Sequence, residues 1–202
     1  SGTGLEFEEH TIYAPIVGAY TFPFTVADLD SDGDDDIIYT TTIAQELIWA
    51  ENVYSEGDEF ITHTIFELSY FPNEYATGDF DNDGDMDIIT STLEDKVCWI
   101  ENLGGEFFSF ESIIEEIENM KCMTFTDLQG DNDLDLLIGA GQSYFDDDNG
   151  LFILYNDGLG NFTDAVNYYE SADVLNIFTG FINNDILPDI VFVDNISGVI
   201  DG

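Results

Sequence analysis

The sequence has almost no positive charge. It contains no arginine and only two lysines, Lys96 and Lys121, against 44 acidic residues, which gives a formal net charge of -42. A chain of this charge repels nucleic acid and anionic membrane surfaces, so nucleic acid is excluded as a partner. It also lacks an apolar run of about 18 residues, and direct insertion into a membrane is not predicted. Because the carboxylates repel one another, we expect the fold to need counterions, and divalent cations are the obvious candidates.

Cysteine is also scarce. Cys98 and Cys122 are the only two, too few for a disulfide framework. A single bridge between them and a pair of small buried side chains are the two alternatives, of which the buried pair is favoured. Hydrophobic residues, in contrast, make up 44% of the chain and aromatic residues 14%, which is enough to build a packed core.

An aspartate-rich segment recurs along the chain. It reads DLDSDGDDDII from Asp28, DFDNDGDMDII from Asp79, DLQGDNDLDLL from Asp127 and, in an eroded form, FINNDILPDIV from Phe181. The four starts are 51, 48 and 54 residues apart. Such a spacing is typical of one four-stranded propeller blade per repeat.

Each repeat shows the same order of short strands, and helical periodicity is not sustained anywhere. One strand enters the acidic loop, a second leaves it, and turns rich in Gly, Asn and Asp separate the remaining two. The third strand is predicted at 46–52, 96–102 and 151–157, and the fourth at 60–66, 107–113 and 162–168. We therefore predict an all-β protein with a single β-propeller domain at 1–202, whose four blades of four antiparallel strands occupy approximately 14–66, 67–114, 115–170, and 171–202 plus 1–13.

The two ends of the sequence complement each other. FEEHTIY at 7–13 matches FITHTIF, the predicted fourth strand at 60–66, while the last repeat stops just after the place of its third strand. We therefore predict a closed ring, in which the N-terminal strand completes the last blade and only short edges remain. The alternative is a fragment of a larger propeller.

The acidic loops have the composition of a metal site. In the first two copies carboxylates occupy loop positions 1, 3, 5, 7 and 9, and a glycine at position 6 permits a tight turn. Calcium takes about six to eight oxygen ligands, which a curled loop of this kind can supply, and a dication would remove the repulsion between the carboxylates. A solvated acidic turn is the alternative, but three copies in register favour calcium. An EF-hand is excluded, because position 12 holds Tyr39, Thr90 and Ile138 instead of glutamate.

The pattern DxDxDGDxDII, followed by a WxEN strand, resembles the FG-GAP or VCBS repeat and is similar to the calcium-binding blades of integrin α-chain propellers. The resemblance implies that the side chains at positions 1, 3, 5 and 9 and the backbone carbonyl at position 7 hold each Ca²⁺ ion. The implied ligands are Asp28, Asp30, Asp32 and Asp36 with Asp34; Asp79, Asp81, Asp83 and Asp87 with Asp85; and Asp127, Gln129, Asp131 and Asp135 with Asp133. The fourth loop keeps only Asn183, Asp185 and Asp189 and is expected to be weak or empty, which leaves one ion for each of the other loops.

The family usually has seven blades, whereas four are visible in this sequence. The resemblance further implies a secreted or cell-surface protein that acts as a ligand-binding or adhesion module for an extracellular protein or glycan. The one local departure from the repeat is GQSYFDDDNG at 141–150, where Tyr144, Phe145 and Asp146 to Asp148 are candidates for a glycan or metal contact. A solvated insertion is the alternative. Trp49 and Trp99 hold equivalent repeat positions and are predicted to pack between blades.

Two other classes of function stay open. One is a structural subunit of a surface layer or filament, in which calcium bridges self-assembling copies. The other is a polysaccharide-active enzyme or its accessory domain. The sequence has no GxSxG, phosphate-loop or HExxH motif, and His10 and His63 lie at equivalent positions of the same strand, as structural repeat residues do. We therefore predict no catalytic residues and no enzymatic activity.

Overall fold

A computed structural model describes residues 21–41, 46–53, 60–67, 72–92, 96–114, 117–141, 149–170 and 172–195. Within these ranges the chain forms fourteen β-strands and no helix. Accordingly, the part of the chain described has no helix with the length and apolar character of a membrane span.

The strands form four antiparallel sheets that follow one another along the chain. The first sheet contains β1 (Thr21–Ala27), β2 (Asp36–Thr41), β3 (Glu46–Asn52) and β4 (Phe60–Glu67). The second contains β5 (Pro72–Gly78), β6 (Asp87–Thr92), β7 (Val97–Asn102) and β8 (Phe108–Ile114). The third contains β9 (Met120–Thr126), β10 (Asp135–Ala140), β11 (Gly150–Leu154) and β12 (Val166–Glu170), and the last contains β13 (Val174–Gly180) and β14 (Asp189–Asp194).

In each sheet, strands that are neighbours in sequence are also neighbours in space, so that every repeat is an up-and-down meander. The first strands of successive sheets adjoin: β1 packs near β5, β5 near β9, and β9 near β13. The predicted all-β class and four-stranded unit are confirmed for three repeats, and the fourth repeat contributes two strands in the described part. The predicted closure rests on residues 1–13, which lie outside the described residues, and it stays a prediction.

Apolar side chains fill the space between successive sheets. Trp49 of the first sheet packs with Ile88 of the second, and Trp99 of the second packs with Leu136 of the third. Neighbouring residues of a strand point to opposite faces, so Ile88 contacts the first sheet while Ile89 contacts the third. This arrangement explains why β6 and β10 are buried along their whole length. It also confirms that both tryptophans pack between sheets.

The fourth strand of the third repeat differs from the prediction. It begins at Val166 instead of residue 162, and β11 ends at Leu154. The Thr163 hydroxyl accepts the hydrogen bond of the Tyr155 N–H (3.0 Å), in the place where a regular ladder would use a backbone carbonyl. Only an isolated bridge between Asn156 and Phe162 continues the pairing toward the turn. A side chain thus interrupts the ladder that the repeat pattern predicted.

Cys98 and Cys122 are both buried thiols and form no disulfide, which confirms the alternative of two small buried side chains. Burial raises the pKa of Cys122 to about 11, so this thiol stays protonated at neutral pH. Nearby, the ammonium of Lys121 on β9 pairs with Asp173, which precedes β13. One of the two lysines therefore joins the third sheet to the last.

Candidate metal-binding loops

The first three acidic loops share one backbone path. In each of them the fourth and sixth residues have a positive φ: Ser31 (61°) and Gly33 (101°), Asn82 (61°) and Gly84 (99°), Gly130 (73°) and Asn132 (82°). Glycine adopts this conformation freely, and asparagine tolerates it better than most residues. The third loop therefore has its glycine at position 4 and an asparagine at position 6, yet it makes the same turn. Its altered sequence preserves the backbone geometry.

The first loop brings three of its predicted ligands together. Asp28, Asp30 and Asp32 each place a carboxylate oxygen within 4.8 Å of the others. Asp28 is held in position by the N–H groups of Asp32 and Gly33, both at 3.0 Å. Burial raises the pKa of Asp30, and the neighbouring charges of Asp36 and Asp32 act in the same direction. A dication at this point would relieve that repulsion.

The second loop fits a cation best. Asp79, Asp81 and Asp87 each offer an oxygen within 4.8 Å of the others. Asp79 Oδ2 accepts a hydrogen bond from the Gly84 N–H (3.1 Å). Its Oδ1 is buried and has no hydrogen-bond partner in the described part of the chain. A buried carboxylate oxygen without a donor is costly, and a bound cation would satisfy it.

The third loop uses its first aspartate differently. Asp127 accepts hydrogen bonds from the N–H groups of Gly130 (2.6 Å), Asp131 (3.1 Å) and Asn132 (2.9 Å). Although burial acts to raise it, these bonds lower the pKa of Asp127. Gln129 is exposed, and no set of three converging acidic side chains is found here among the described residues. Calcium at the third loop therefore stays a prediction.

The remaining predicted ligands lie along the same turns. In the second loop, Asp83 is exposed and its carboxylate accepts a hydrogen bond from the Asp85 N–H (2.9 Å). The equivalent residue of the third loop, Asp131, is also exposed and accepts a hydrogen bond from the Asp133 N–H (3.3 Å). The position-7 residues, whose backbone carbonyls were the predicted ligands, are half-buried: Asp34, Asp85 and Asp133.

The ninth loop position has a structural role that the sequence pattern did not indicate. Asp36, Asp87 and Asp135 are all buried. Each carboxylate accepts one N–H from the second residue of its loop and one from an asparagine at, or two residues after, the end of the third strand. For Asp87 these donors are Phe80 (3.1 Å) and Asn102 (2.8 Å). The ninth aspartate therefore fastens the loop to its own sheet, whether or not it also binds a metal.

Two of these asparagines also join their sheet to the preceding one. Asn102 Nδ2 donates to the Leu29 carbonyl of the first loop (2.8 Å), and Asn156 Nδ2 donates to the Phe80 carbonyl of the second (2.7 Å). We name this contact the inter-sheet clasp. Its residues lie in the recurring EN and YND segments, so their recurrence was the available signal, but a sequence does not show which carbonyl they meet.

In the fourth loop, the polar side chains that remain form hydrogen bonds within the loop. Asn183 Nδ2 donates to Asp189 Oδ1 (2.8 Å), and Asp189 Oδ2 accepts the Ile182 N–H (2.8 Å). Asp185 caps the turn by donating its N–H to the Asn183 side-chain oxygen (2.7 Å). No converging acidic trio is found here within 172–195. That the fourth loop is weak or empty stays a prediction.

Of the remaining candidate residues, the histidines and those of the insertion at 141–150, the structure describes His63. His63 stacks on Trp49 with ring centroids 4.6 Å apart, and its Nε2 lies 2.7 Å from Glu51. It is half-buried and serves packing, as its repeat position indicated. His10 and the insertion residues Tyr144, Phe145 and Asp146 to Asp148 lie outside the described residues.

Without metal, the buried ninth aspartates should make stability depend on pH. Burial raises the pKa of Asp87 to about 7, and it raises those of Asp36 and Asp135 as well. The folded state then binds more protons than the unfolded state between about pH 4 and 7, so the free energy of unfolding falls as pH rises through this window. We expect metal-stripped protein to lose at least about 1.4 kcal/mol, one pKa unit's worth, between these limits.

Thermal unfolding at constant ionic strength would measure this loss. Asp87→Asn should flatten the dependence, whereas Asp164→Asn, at an exposed site, should leave it unchanged. Stability that increases from about pH 5 to 7 would contradict the assignment.

Comparisons with known proteins agree with this geometry. The model of the FG-GAP-like repeat matches residues 28–90 and 79–138, more than half of the chain. No curated protein matches significantly. Among solved structures, that of an Agrocybe aegerita lectin, described as recognising non-reducing terminal N-acetylglucosamine, matches with a TM-score of 0.59 and 17% identity. The match covers 83% of this chain but only 45% of the lectin, and at this identity it shows a propeller-like fold alone.

Proposed function

Because the chain belongs to the FG-GAP-like repeat family, we propose that it is an extracellular β-propeller module that binds calcium and holds a glycan or protein ligand. The observation that carries the calcium assignment is the second loop. There, three carboxylates converge and the buried Asp79 Oδ1 has no hydrogen-bond partner in the described part of the chain. Hard oxygen donors of this kind suit calcium and are poor ligands for soft transition metals.

The described ligands of the first loop are partly open to water: Asp30 and Asp32 are exposed and Asp28 is half-buried. Open loops without a bidentate glutamate suit weak affinities, on the order of 10⁻⁴ to 10⁻³ M, as in extracellular modules. Such affinities are useful only where free calcium is abundant.

Charge narrows the ligand class. With a net charge of -42, the module repels polyanions and favours neutral or amino-bearing ligands. Tyr168 and Tyr169 on the outer strand β12 are exposed, and the Tyr168 hydroxyl lies 2.8 Å from that of Tyr155. Tyrosine combines an apolar ring with a hydroxyl, which suits it to pack on and hydrogen-bond a sugar. The similar lectin recognises a neutral amino sugar derivative, and a neutral glycan is therefore the ligand that we favour.

A glycan array probed with the calcium-loaded protein tests this function. We expect saturable binding to uncharged glycans, terminal N-acetylglucosamine among them, and little binding to sulfated or uronic acid glycans. Tyr168→Ala should weaken this binding, while Leu159→Ala, at another exposed apolar position, serves as the matched control. A folded, calcium-loaded protein that binds no glycan on the array would contradict a glycan ligand.

A further inference from the structure

The second and third loops touch each other through a side chain that is not among the predicted ligands. Asn82, the fourth residue of the second loop, reaches across to the third sheet. Its Nδ2 donates one hydrogen bond to Asp133 Oδ1 (2.9 Å) and another to the Gly158 carbonyl, in the segment between β11 and β12 (3.3 Å). One amide group therefore holds two segments of the third sheet against the second loop.

Two further contacts join the same loops. A Cβ placed on Gly78, the residue before Asp79, would lie only 2.8 Å from Leu134 Cδ1, so Leu134 packs closely on the backbone at which the second loop begins. In the inter-sheet clasp, Asn156 Nδ2 donates to the Phe80 carbonyl (2.7 Å) and also to the Leu134 carbonyl (3.4 Å). The contacts with the third loop thus run along the second loop from its start to its fourth residue.

These contacts alternate with the residues that converge on the candidate cation site of the second loop. Phe80 lies between Asp79 and Asp81, and Asn82 follows Asp81. Asp81 Oδ1 accepts a hydrogen bond from the Asp83 N–H (3.2 Å), which closes the turn that carries Asn82. A cation that fixes Asp79 and Asp81 therefore also fixes the backbone from which Asn82 reaches the third loop.

In the third loop, the contacts fall on the segment that would supply ligands there. Asp133 is the seventh residue, whose backbone carbonyl is the implied ligand, and Leu134 precedes the buried anchor Asp135. The place of this segment is therefore set in part by the second loop.

On the basis of the calcium site in the proposed function, we propose that the second and third loops respond to calcium as a coupled pair, and that Asn82 couples them. Calcium in the second loop holds Asn82 in place, and its hydrogen bond then holds Asp133. The third loop loses less conformational freedom when it orders against a fixed neighbour, so it orders more readily. The coupling is reciprocal, so an ordered third loop also tightens calcium binding at the second.

The first loop supplies the substitution that separates the coupling from the fold of the turn. Ser31 holds the repeat position of Asn82, and both residues have a φ of 61°. Serine therefore fits this backbone conformation, but it has no amide group that could donate to two acceptors. Asn82→Ser should keep the turn of the second loop and remove its hydrogen bonds to the third sheet.

NMR of protein labelled with ¹⁵N-glycine, during a calcium titration, would follow each loop separately. The N–H groups of Gly33, Gly84 and Gly130 each donate to the first aspartate of their own loop. At about 0.15 M salt, charges interact over only about 8 Å, so the net charge contributes little to the coupling. We expect the Gly84 and Gly130 signals to shift at the same calcium concentration. Asp81→Asn should raise both midpoints by the same factor and leave that of Gly33 unchanged.

Asn82→Ser should separate the Gly84 and Gly130 midpoints by at least about fivefold, the lower end of typical coupling between sites. Asp133→Ala keeps the backbone carbonyl but removes the acceptor, and it should have the same effect. Asp133→Asn retains a side-chain oxygen and should preserve the coupling. Asn176→Ser is the matched control, because this exposed asparagine of β13 lies outside the loops.

The outcomes distinguish the coupling from calcium binding itself. A Gly130 midpoint that stays with that of Gly84 in Asn82→Ser, or that does not move in Asp81→Asn, would overturn the coupling and leave the calcium site intact. A Gly33 midpoint that also rises in Asn82→Ser would reveal a general loss of structure and would overturn the specific role of Asn82. Glycine signals that ignore calcium in every loop would overturn both the calcium-binding module and the coupling.

Discussion

Replacing Asp87 by alanine is expected to lower the free energy of unfolding by about 2–6 kcal/mol. Asp87 is fully buried, and its carboxylate accepts hydrogen bonds from the N–H groups of Phe80 (3.1 Å) and Asn102 (2.8 Å). Alanine leaves both donors buried without an acceptor, and each such group costs about 1–3 kcal/mol. The loop and the third strand would then lose their common anchor, and Phe80 would lose its fixed place between the sheets.

Urea unfolding in metal-free buffer would measure this effect. Asp87→Asn retains one side-chain oxygen and removes the buried charge, so it should be less harmful than alanine. Asp83→Ala is the matched control, since this exposed residue of the same loop accepts one N–H, that of Asp85. We expect that control to cost less than about 1 kcal/mol without metal. Equal losses for Asp83→Ala and Asp87→Ala would refute the anchoring role.

Features that recur in the sequence were the ones that could be predicted. The DxDxDG spacing predicted the loops that begin at Asp28 and Asp79. The periods of 51 and 48 residues between loop starts predicted that each loop belongs to a separate sheet. The equivalent repeat positions of Trp49 and Trp99 correctly placed both side chains between sheets. Each of these signals is local, or repeats at a fixed distance, and needs no knowledge of what lies across the fold.

Features that depend on partners from other strands could not be predicted. For the ninth aspartate of each loop the sequence predicts only a role as a ligand, because its two N–H donors lie on separate segments of the chain. The clasp from Asn102 to the Leu29 carbonyl spans 73 residues, and no pattern specifies that pairing. The hydrogen bond by which the Thr163 hydroxyl interrupts the ladder near Tyr155 could not be predicted either, since the sequence does not distinguish this threonine from any other threonine in a strand.

The apolar residues of the fourth loop also gain their meaning from the structure. In the sequence, Phe181 indicates only the loss of a ligand, and Ile182 stands at a loop position that carries no ligand in any repeat. The structure adds that Leu29 and Phe80, at the repeat position of Ile182, are buried between sheets, whereas Ile182 itself is exposed.

Calcium is expected to have the largest effect of any added component. At about a hundred times its dissociation constant, each ion that binds only the folded state stabilises it by about 2.7 kcal/mol. The first two loops, where Asp28 and Asp79 begin the converging sets, would together contribute about 5 kcal/mol. For a chain of this size, that corresponds to a rise in Tm of about 10–20 °C. Magnesium, which prefers few protein ligands and a strict octahedron, should have a much smaller effect.

A pair of isosteric substitutions shows whether this effect comes from the loops. Asp81→Asn removes one charge from the converging set of the second loop, while Asp164→Asn removes one charge from an exposed site elsewhere. Asp81→Asn should remove roughly half of the calcium-dependent rise, because one of the two sites is weakened. Asp164→Asn should retain the whole rise. If general screening of charge were responsible, the two variants would respond alike.

The most direct measurement is thermal unfolding during a calcium titration of chelator-stripped protein, with magnesium at matched ionic strength beside it. We predict a saturable rise in Tm that is specific to calcium and reduced in Asp81→Asn. An equal rise with magnesium, or none with calcium, would show that the loops beginning at Asp28 and Asp79 are acidic turns supported by salt screening, and it would contradict the calcium-binding module.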